Sequence, residues 1–170
     1  MILLGLGSNK GDRREYLRRA VRELRGVLQD MRLSRVVESR AVLPPGAPPS
    51  WDMPYLNMAV AGRAEMAPLA LLACVKAIED GLGRVKTGVW GPREIDIDIL
   101  AMGQTLFVSP QLVIPHREMT RRDFVMLPLC DVAAEWRYPG DGTHRGYTVT
   151  AMAQGFGFGE HLQDRGALDA

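Results

Sequence analysis

Between residues 95 and 99 isoleucine and aspartate alternate without a break: Ile95, Asp96, Ile97, Asp98, Ile99. A period of two separates the residue types cleanly only on a strand, where successive side chains leave opposite faces. The isoleucines then enter a core, and Asp96 and Asp98 project together from the other face, about 7 Å apart along the chain. Like charges so placed repel and stabilise nothing by themselves. Shared cations would resolve this, and Mg²⁺ takes one or two carboxylates completed by water and substrate phosphates. A solvated edge strand with two chance acids fits the same five residues.

The rest of the chain supplies a sheet for that strand. Ile2–Leu6 is a short apolar run ending in Gly7-Ser8-Asn9 and reads as a buried strand. Asp12, with Glu15 three residues on, caps a helix whose apolar positions are Leu17, Ala20, Val21, Leu24, Val27 and Leu28. Arg14, Arg18, Arg22 and Arg25 fall on its other side as a solvated face. Leu33–Ser39 is a second strand, Leu43–Pro54 a proline-rich loop and Tyr55–Ala64 a third strand. Pro68 opens a second helix, with Leu71, Leu72, Val75, Ile78 and Leu82 on its apolar face. Ile95–Ala101 is the fourth strand, and Gly103-Gln104 turns into Leu106–Val108. The order βαββαβ predicts an α+β, ferredoxin-like fold. Its antiparallel sheet carries two helices on one face and leaves the second face for a ligand or for C-terminal additions. Residues 1–153 read as one domain, and the glycine-rich residues 154–170 as a loose C-terminal tail.

A formal net charge of +1 provides no global field toward nucleic acid or membrane, so any anion site must be local. The two cysteines, Cys74 and Cys130, lack the spacing of a zinc site or a disulfide framework and read as buried thiols. Met1–Leu6 is too short for a signal-peptide core, and no apolar run reaches the length of a membrane span. A cytoplasmic chain with no membrane partner is expected.

Cations surround the paired acids in the sequence. Arg84 and Lys86 precede them on a glycine-flanked stretch, Arg93 stands three residues before Asp96, and His116, Arg117, Arg121 and Arg122 follow. Arginine forks match phosphate oxygens. Cations around a paired-carboxylate metal site form a triphosphate site if the loops converge. Aromatics are only 6% of the chain, yet Tyr55 shares a strand face with Asn57, and Phe124 follows the arginines. An asparagine amide pairs with the donor–acceptor edge of a heterocycle, and two aromatic rings can sandwich a flat one. Taken singly, each arginine also suits a solvated surface, His116 a structural role, and Tyr55 and Phe124 ordinary core packing.

Six blocks occur in order: Gly7-Ser8-Asn9-x-Gly11-Asp12, Tyr55-Leu56-Asn57, Gly83-Arg84, Trp90-Gly91-Pro92-Arg93-x-Ile95-Asp96-Ile97-Asp98, Pro115-His116 and Arg122-x-Phe124. Together they resemble the 6-hydroxymethyl-7,8-dihydropterin pyrophosphokinases over residues 1–135. The resemblance implies a Mg²⁺-dependent transfer of the β,γ-diphosphate of ATP to the hydroxymethyl group of a reduced pterin, with release of AMP, in folate synthesis. It implies that Asp96 and Asp98 hold two Mg²⁺ ions and carry catalysis with Arg84 and Arg93. Arg84, Lys86, Arg93, His116 and Arg122 would bind the triphosphate of ATP, and Glu79 would hold one of the arginines. Ile99 would meet adenine, and Trp90 would close over both ligands. Asn57 would pair with the pterin's amide edge, and Tyr55 and Phe124 would flank its ring. ATP and the pterin are then the partners, and a monomer is expected.

The chain departs from the family pattern at Ala41–Pro49, at Asp123 and at Arg117. A nucleotidyltransferase with a paired-aspartate site would share the fold but release pyrophosphate. An RNA-binding sheet would need a basic face and exposed aromatics. The near-neutral charge and the acid pair argue against that, so no nucleic-acid partner is expected.

Overall fold

A computed structural model describes residues 1–43, 45–85, 91–159 and 161–169. Its centre is β1, Ile2–Ser8, which pairs antiparallel with β4 (Tyr55–Arg63) on one side and β5 (Asp96–Met102) on the other. Beyond β4 lie β2 (Gln29–Leu33) and β3 (Val37–Ser39), and β8 (Leu162–Asp164) pairs with β3 at the far edge. The strand order is β5-β1-β4-β3-β8, with β2 also on β4. This is the expected antiparallel α+β sheet. A separate two-stranded ribbon joins β6 (Phe107–Val108) to β7 (Val113–Ile114).

Two helices follow the expected pattern. In α1, Arg13–Leu24, Asp12 caps the first turn by accepting the Glu15 amide at 3.0 Å. Leu17, Ala20, Val21 and Leu24 are its buried stripe. Helix α2, Pro68–Gly81, buries Leu71 and Val75. Both cover the face that carries Leu4, Leu6, Val60, Ile97 and Ile99. The second sheet face, left by the sequence pattern for a ligand or for C-terminal additions, carries C-terminal helices. There α3 (Asp123–Ala133) and the short α4 (Val149–Met152) pack on Leu3, Ala59, Ala61 and Leu100. They cover one end of that face. At the other end Gly5, Gly7, Asn57, Asp96 and Asp98 line a pocket.

The expected second strand is broken. The Ser34 hydroxyl takes the place of a backbone carbonyl, accepting the Ala59 amide at 2.8 Å. The next two amides leave the ladder: Arg35 N–H donates to Asp131 at 2.9 Å and Val36 N–H to the Gly166 carbonyl at 2.7 Å.

Residues 154–170 are not a loose tail where they are described. Strand β8 adds to the sheet, and Arg165 N–H donates back to the Val36 carbonyl at 2.8 Å. Leu162 and Leu168 are buried. Arg14 donates to the Ala167 carbonyl, and Arg18 to that of Asp169 at 2.8 Å. These two arginines therefore strap down the C-terminal segment rather than simply facing solvent. Cys74 and Cys130 are half-buried rather than buried. No helix among the described residues is long and apolar enough to cross a membrane.

One ion pair gives a test of how β8 and α3 are held. Arg35 forks onto Asp131 with two bonds of 2.8 Å and reaches Asp164 at 3.1 Å. Burial pushes the Asp131 carboxyl up, but the Arg35 bonds outweigh it and hold it below the usual carboxylate range. A depressed carboxyl stabilises the fold above its unfolded value of about 4 and loses that contribution as pH falls through its lower folded value. Arg35 is 41% exposed, so the expected loss on Asp131→Asn is no more than about 1 kcal/mol at pH 7. Urea denaturation at pH 7 and at pH 3 should show the gap from wild type closing in acid. A gap independent of pH would assign the effect to packing.

Candidate active site

The site is built around the charged face of β5. Asp96 is gripped from two sides: Arg93 Nη1 lies 2.7 Å from Oδ2, and Arg84 Nη1 2.8 Å from Oδ1. Burial pushes the Asp96 carboxyl up, yet Arg93, Arg84 and Lys76 together hold it below its ordinary value. For Asp98 the balance is reversed. Burial, and then the charge of Asp96, push its carboxyl up, with His116, Lys76 and Arg122 pulling the other way. Among the described residues no side chain donates a hydrogen bond to the Asp98 carboxylate. Asp96 and Asp98 stand two apart on β5 and line the same two cavities.

Glu79 sits behind this arrangement, 2% exposed at the C-terminal end of α2. It accepts the backbone N–H of Ile97 at 2.7 Å, Lys76 at 2.8 Å and the Arg84 guanidinium. Burial pushes its carboxyl up. The expected hold on an arginine is found, and the arginine is Arg84. Glu79 itself does not line either cavity at the site.

Arg93 is placed by the Gly7-Ser8-Asn9 exit of β1. Its backbone N–H donates to Asn9 Oδ1 at 2.8 Å, and the Asn9 N–H returns to the Arg93 carbonyl at 3.2 Å. The Asn9 side-chain amide reaches the Met53 carbonyl at 3.2 Å, tying in the loop before β4. Glu94 takes Lys10 at 2.6 Å and the Val85 N–H at 3.2 Å, fixing the backbone next to Arg84.

Two cavities meet at the acids. A pocket of about 140 Å³ is lined by Tyr55, Asn57 and Phe124. An open cleft of about 1150 Å³ is lined by Arg84, Ile99, Leu112 and Arg117 among others. Arg93, Asp96, Asp98, His116 and Arg122 line both. His116 is held by its backbone N–H to the Leu100 carbonyl at 2.9 Å. Its Nδ1 accepts the Glu118 N–H at 3.2 Å, which leaves Nε2 as the protonated nitrogen of the neutral ring. Arg122 lies over the Phe124 ring at 5.8 Å. Of the residues singled out in the sequence, Lys86 and Trp90 lie outside the described residues.

The sequence reading missed several contributors. Lys76 and Glu94 carry no sequence signal of their own, since their partners Glu79, Lys10 and Val85 are set by the fold. Ser39 lines the smaller pocket and accepts a bond from Asn57, but a lone serine at a strand end carries no signal. Asn9 belongs to the Gly7-Ser8-Asn9 exit of the first strand, but nothing in that run reveals that its side chain holds the Arg93 backbone.

Among the described residues no three His, Cys, Asp or Glu side chains form a closed metal cage. A pair of carboxylates beside a cleft lined by arginines is instead the kind of donor set that Mg²⁺ takes, with water and other oxygens as its remaining ligands. Asp96 and Asp98 fit that requirement.

Comparison with known proteins finds relatives in sequence and in fold. The sequence pattern of the 7,8-dihydro-6-hydroxymethylpterin-pyrophosphokinase (HPPK) family matches residues 3–134. A 2-amino-4-hydroxy-6-hydroxymethyldihydropteridine pyrophosphokinase of Methylorubrum extorquens is 40% identical over 132 residues, covering 78% of this chain and 82% of that one. The folate synthesis bifunctional protein of Chlamydia muridarum is 38% identical over 128 residues, covering 74% of this chain and 28% of that one. The chain thus spans about a third or less of the length of such bifunctional relatives. Among solved structures, wild-type HPPK-DHPS of Plasmodium falciparum superposes with a TM-score of 0.61 at 14% identity, over 89% of this chain and 44% of that one.

Proposed function

Since the chain belongs to the 7,8-dihydro-6-hydroxymethylpterin-pyrophosphokinase family, we propose that it transfers the β,γ-diphosphate of ATP to the hydroxymethyl group of 6-hydroxymethyl-7,8-dihydropterin, releasing AMP, as a step of folate synthesis. The observation that carries this reading is the shared wall. Arg93, Asp96, Asp98, His116 and Arg122 line both the open cleft and the small pocket. A triphosphate in the cleft and a flat heterocycle in the pocket then meet over the acid pair.

In this reading Asn57 pairs with the pterin's amide edge, while Tyr55 and Phe124 flank the ring. Arg84, Arg93, His116 and Arg122 bind the triphosphate, joined by Lys86, and adenine rests near Ile99. Trp90 covers the two ligands. Asp96 and Asp98 would hold two Mg²⁺ ions, which supply charge neutralisation on the phosphate oxygens. The pterin hydroxyl oxygen attacks the β-phosphorus, its proton passes to solvent water, and the α–β bridging bond breaks with AMP taking the electron pair. The residues contribute alignment of hydroxyl and phosphorus and fixed positive charge around the transferred group, both large terms in phosphoryl transfer. Glu79 contributes by holding Arg84 in place. The reading takes the chain as a cytoplasmic monomer acting on small molecules.

Incubation with ATP, Mg²⁺ and the hydroxymethyldihydropterin should yield AMP, with strict dependence on both the pterin and the divalent ion. ADP or inorganic pyrophosphate as the main product overturns the assignment, and pyrophosphate would point to nucleotidyl transfer.

A further inference from the structure

We propose that His161, in the C-terminal segment, is a positioning residue for the pterin: from outside the small pocket it clasps the start of α3 to the end of β3. This rests on the pterin reading above and deepens it. Ser39 and Arg40 at the end of β3, and Phe124 and Val125 at the start of α3, line the small pocket and not the open cleft. Asp123 and His161 line neither cavity.

His161 nevertheless touches both walls. Its carbonyl accepts the Arg40 N–H at 3.4 Å. Its ring Nε2 stands 2.9 Å from Asp123 Oδ2. A carboxylate only accepts, so the direction of that bond is fixed and the proton sits on Nε2. The other oxygen, Asp123 Oδ1, accepts the Phe124 N–H at 2.7 Å. One carboxylate thus ties the backbone of Phe124 to His161, and His161 ties on to β3. The anchor is firm: Gly159 and Leu162 exchange backbone hydrogen bonds of 2.9 and 3.3 Å on either side of His161, and the buried Leu162 pairs with Ser39. Ser39 pairs in turn with Tyr55 on β4. Holding Phe124 to the end of β3 therefore sets its place relative to Tyr55, the other residue that flanks the ring. A flat ring needs that spacing kept, because a gap of about 0.5–1 Å forfeits roughly a quarter to a half of each dispersion contact. His161 lies outside the residues that the family pattern matches, so this clasp is an addition to the family's core.

Calorimetry measures a non-hydrolysable ATP analogue with Mg²⁺, and then the pterin on the analogue-saturated protein, with circular dichroism to check folding. His161→Phe keeps a ring and the backbone bond but has no donor. It should weaken pterin binding by about three- to five-fold, the scale of one hydrogen bond to a carboxylate from a side chain 63% exposed, with ATP-analogue affinity unchanged. His161→Gln, whose amide donates over a similar reach, should restore most of the loss. His161→Phe in an Asp123→Ala background should cost nothing further. Wild-type pterin affinity in His161→Phe overturns the clasp and leaves the pyrophosphokinase reading intact. Equal weakening of both ligands does the same, since it would mark a general loosening of the C-terminal segment. A wild-type protein that binds no pterin overturns both.

Discussion

Asp96→Ala and Asp98→Ala should each lower turnover by roughly 10²–10³-fold, the scale of losing several kcal/mol of charge stabilisation at the reacting phosphoryl group. The two variants should nevertheless differ as proteins. Asp96 accepts both Arg84 and Arg93, so removing it takes away the carboxylate between two guanidinium groups and leaves Arg84 on Glu79 alone. Its loss should reduce stability as well as rate. Asp98 is different, because burial and the Asp96 charge push its carboxyl up. An acid whose folded value lies above its unfolded one destabilises the fold once it ionises, so its contribution is unfavourable at neutral pH. In metal-free buffer Asp98→Asn should therefore be at least as stable as wild type while almost inactive, the trade of stability against function common at active sites. AMP formation across a Mg²⁺ titration, with denaturation in chelator, measures both. If folded alanine variants keep near-normal turnover at ordinary Mg²⁺, the acid pair is not the metal site.

Glu79→Ala should destabilise the fold by about 1–3 kcal/mol, since it leaves the Ile97 amide and a guanidinium short of an acceptor in a buried place. It should also weaken the ATP site, because Arg84 then rests on Asp96 alone. Glu79→Gln separates the two effects. The glutamine carbonyl still accepts the Ile97 N–H, and burying a neutral amide avoids the desolvation that pushes the Glu79 carboxyl up. Its stability should lie near wild type, but Arg84 loses a charged partner, so KM for ATP should rise while that for the pterin stays constant. Urea denaturation and steady-state kinetics on both variants check this. Equal changes in both KM values would mean that Glu79 supports the sheet rather than the arginine.

Local pattern made the charged strand legible. The alternation at residues 95–99 determines its faces without reference to anything distant, and the Tyr55–Asn57 spacing does the same for β4. The paired arginines and His116 were legible only as a set of motifs, since each alone suits a solvated surface. What escaped were features fixed by partners remote in sequence. Ser34 breaks the second strand because its hydroxyl occupies a ladder position, which composition cannot reveal. Residues 154–170 looked loose because Gly155, Gly157, Gly159 and Gly166 dilute any periodicity. Their order comes instead from Arg14, Arg18 and Arg35 on other elements. Helix α3 was obscured by Pro128, which sits inside it.

The placement of β8 fixes an order of assembly. A chain leaving the ribosome can pair β1, β4 and β5 and wrap α1 and α2 on them while residues 162–164 are still unmade. Edge strand β3, only three residues long, gains its second neighbour last, and Arg165 then meets Glu38 across 127 residues of chain. Closing so long a loop is an entropic cost that only late contacts can offset. Domains emerge N-terminal part first, so a nascent chain should possess its acid pair and arginines before it possesses the finished wall that carries Ser39. By the same logic the wall should open before the rest of the sheet in native-state hydrogen exchange, making ligand recognition the most labile function of an otherwise settled fold.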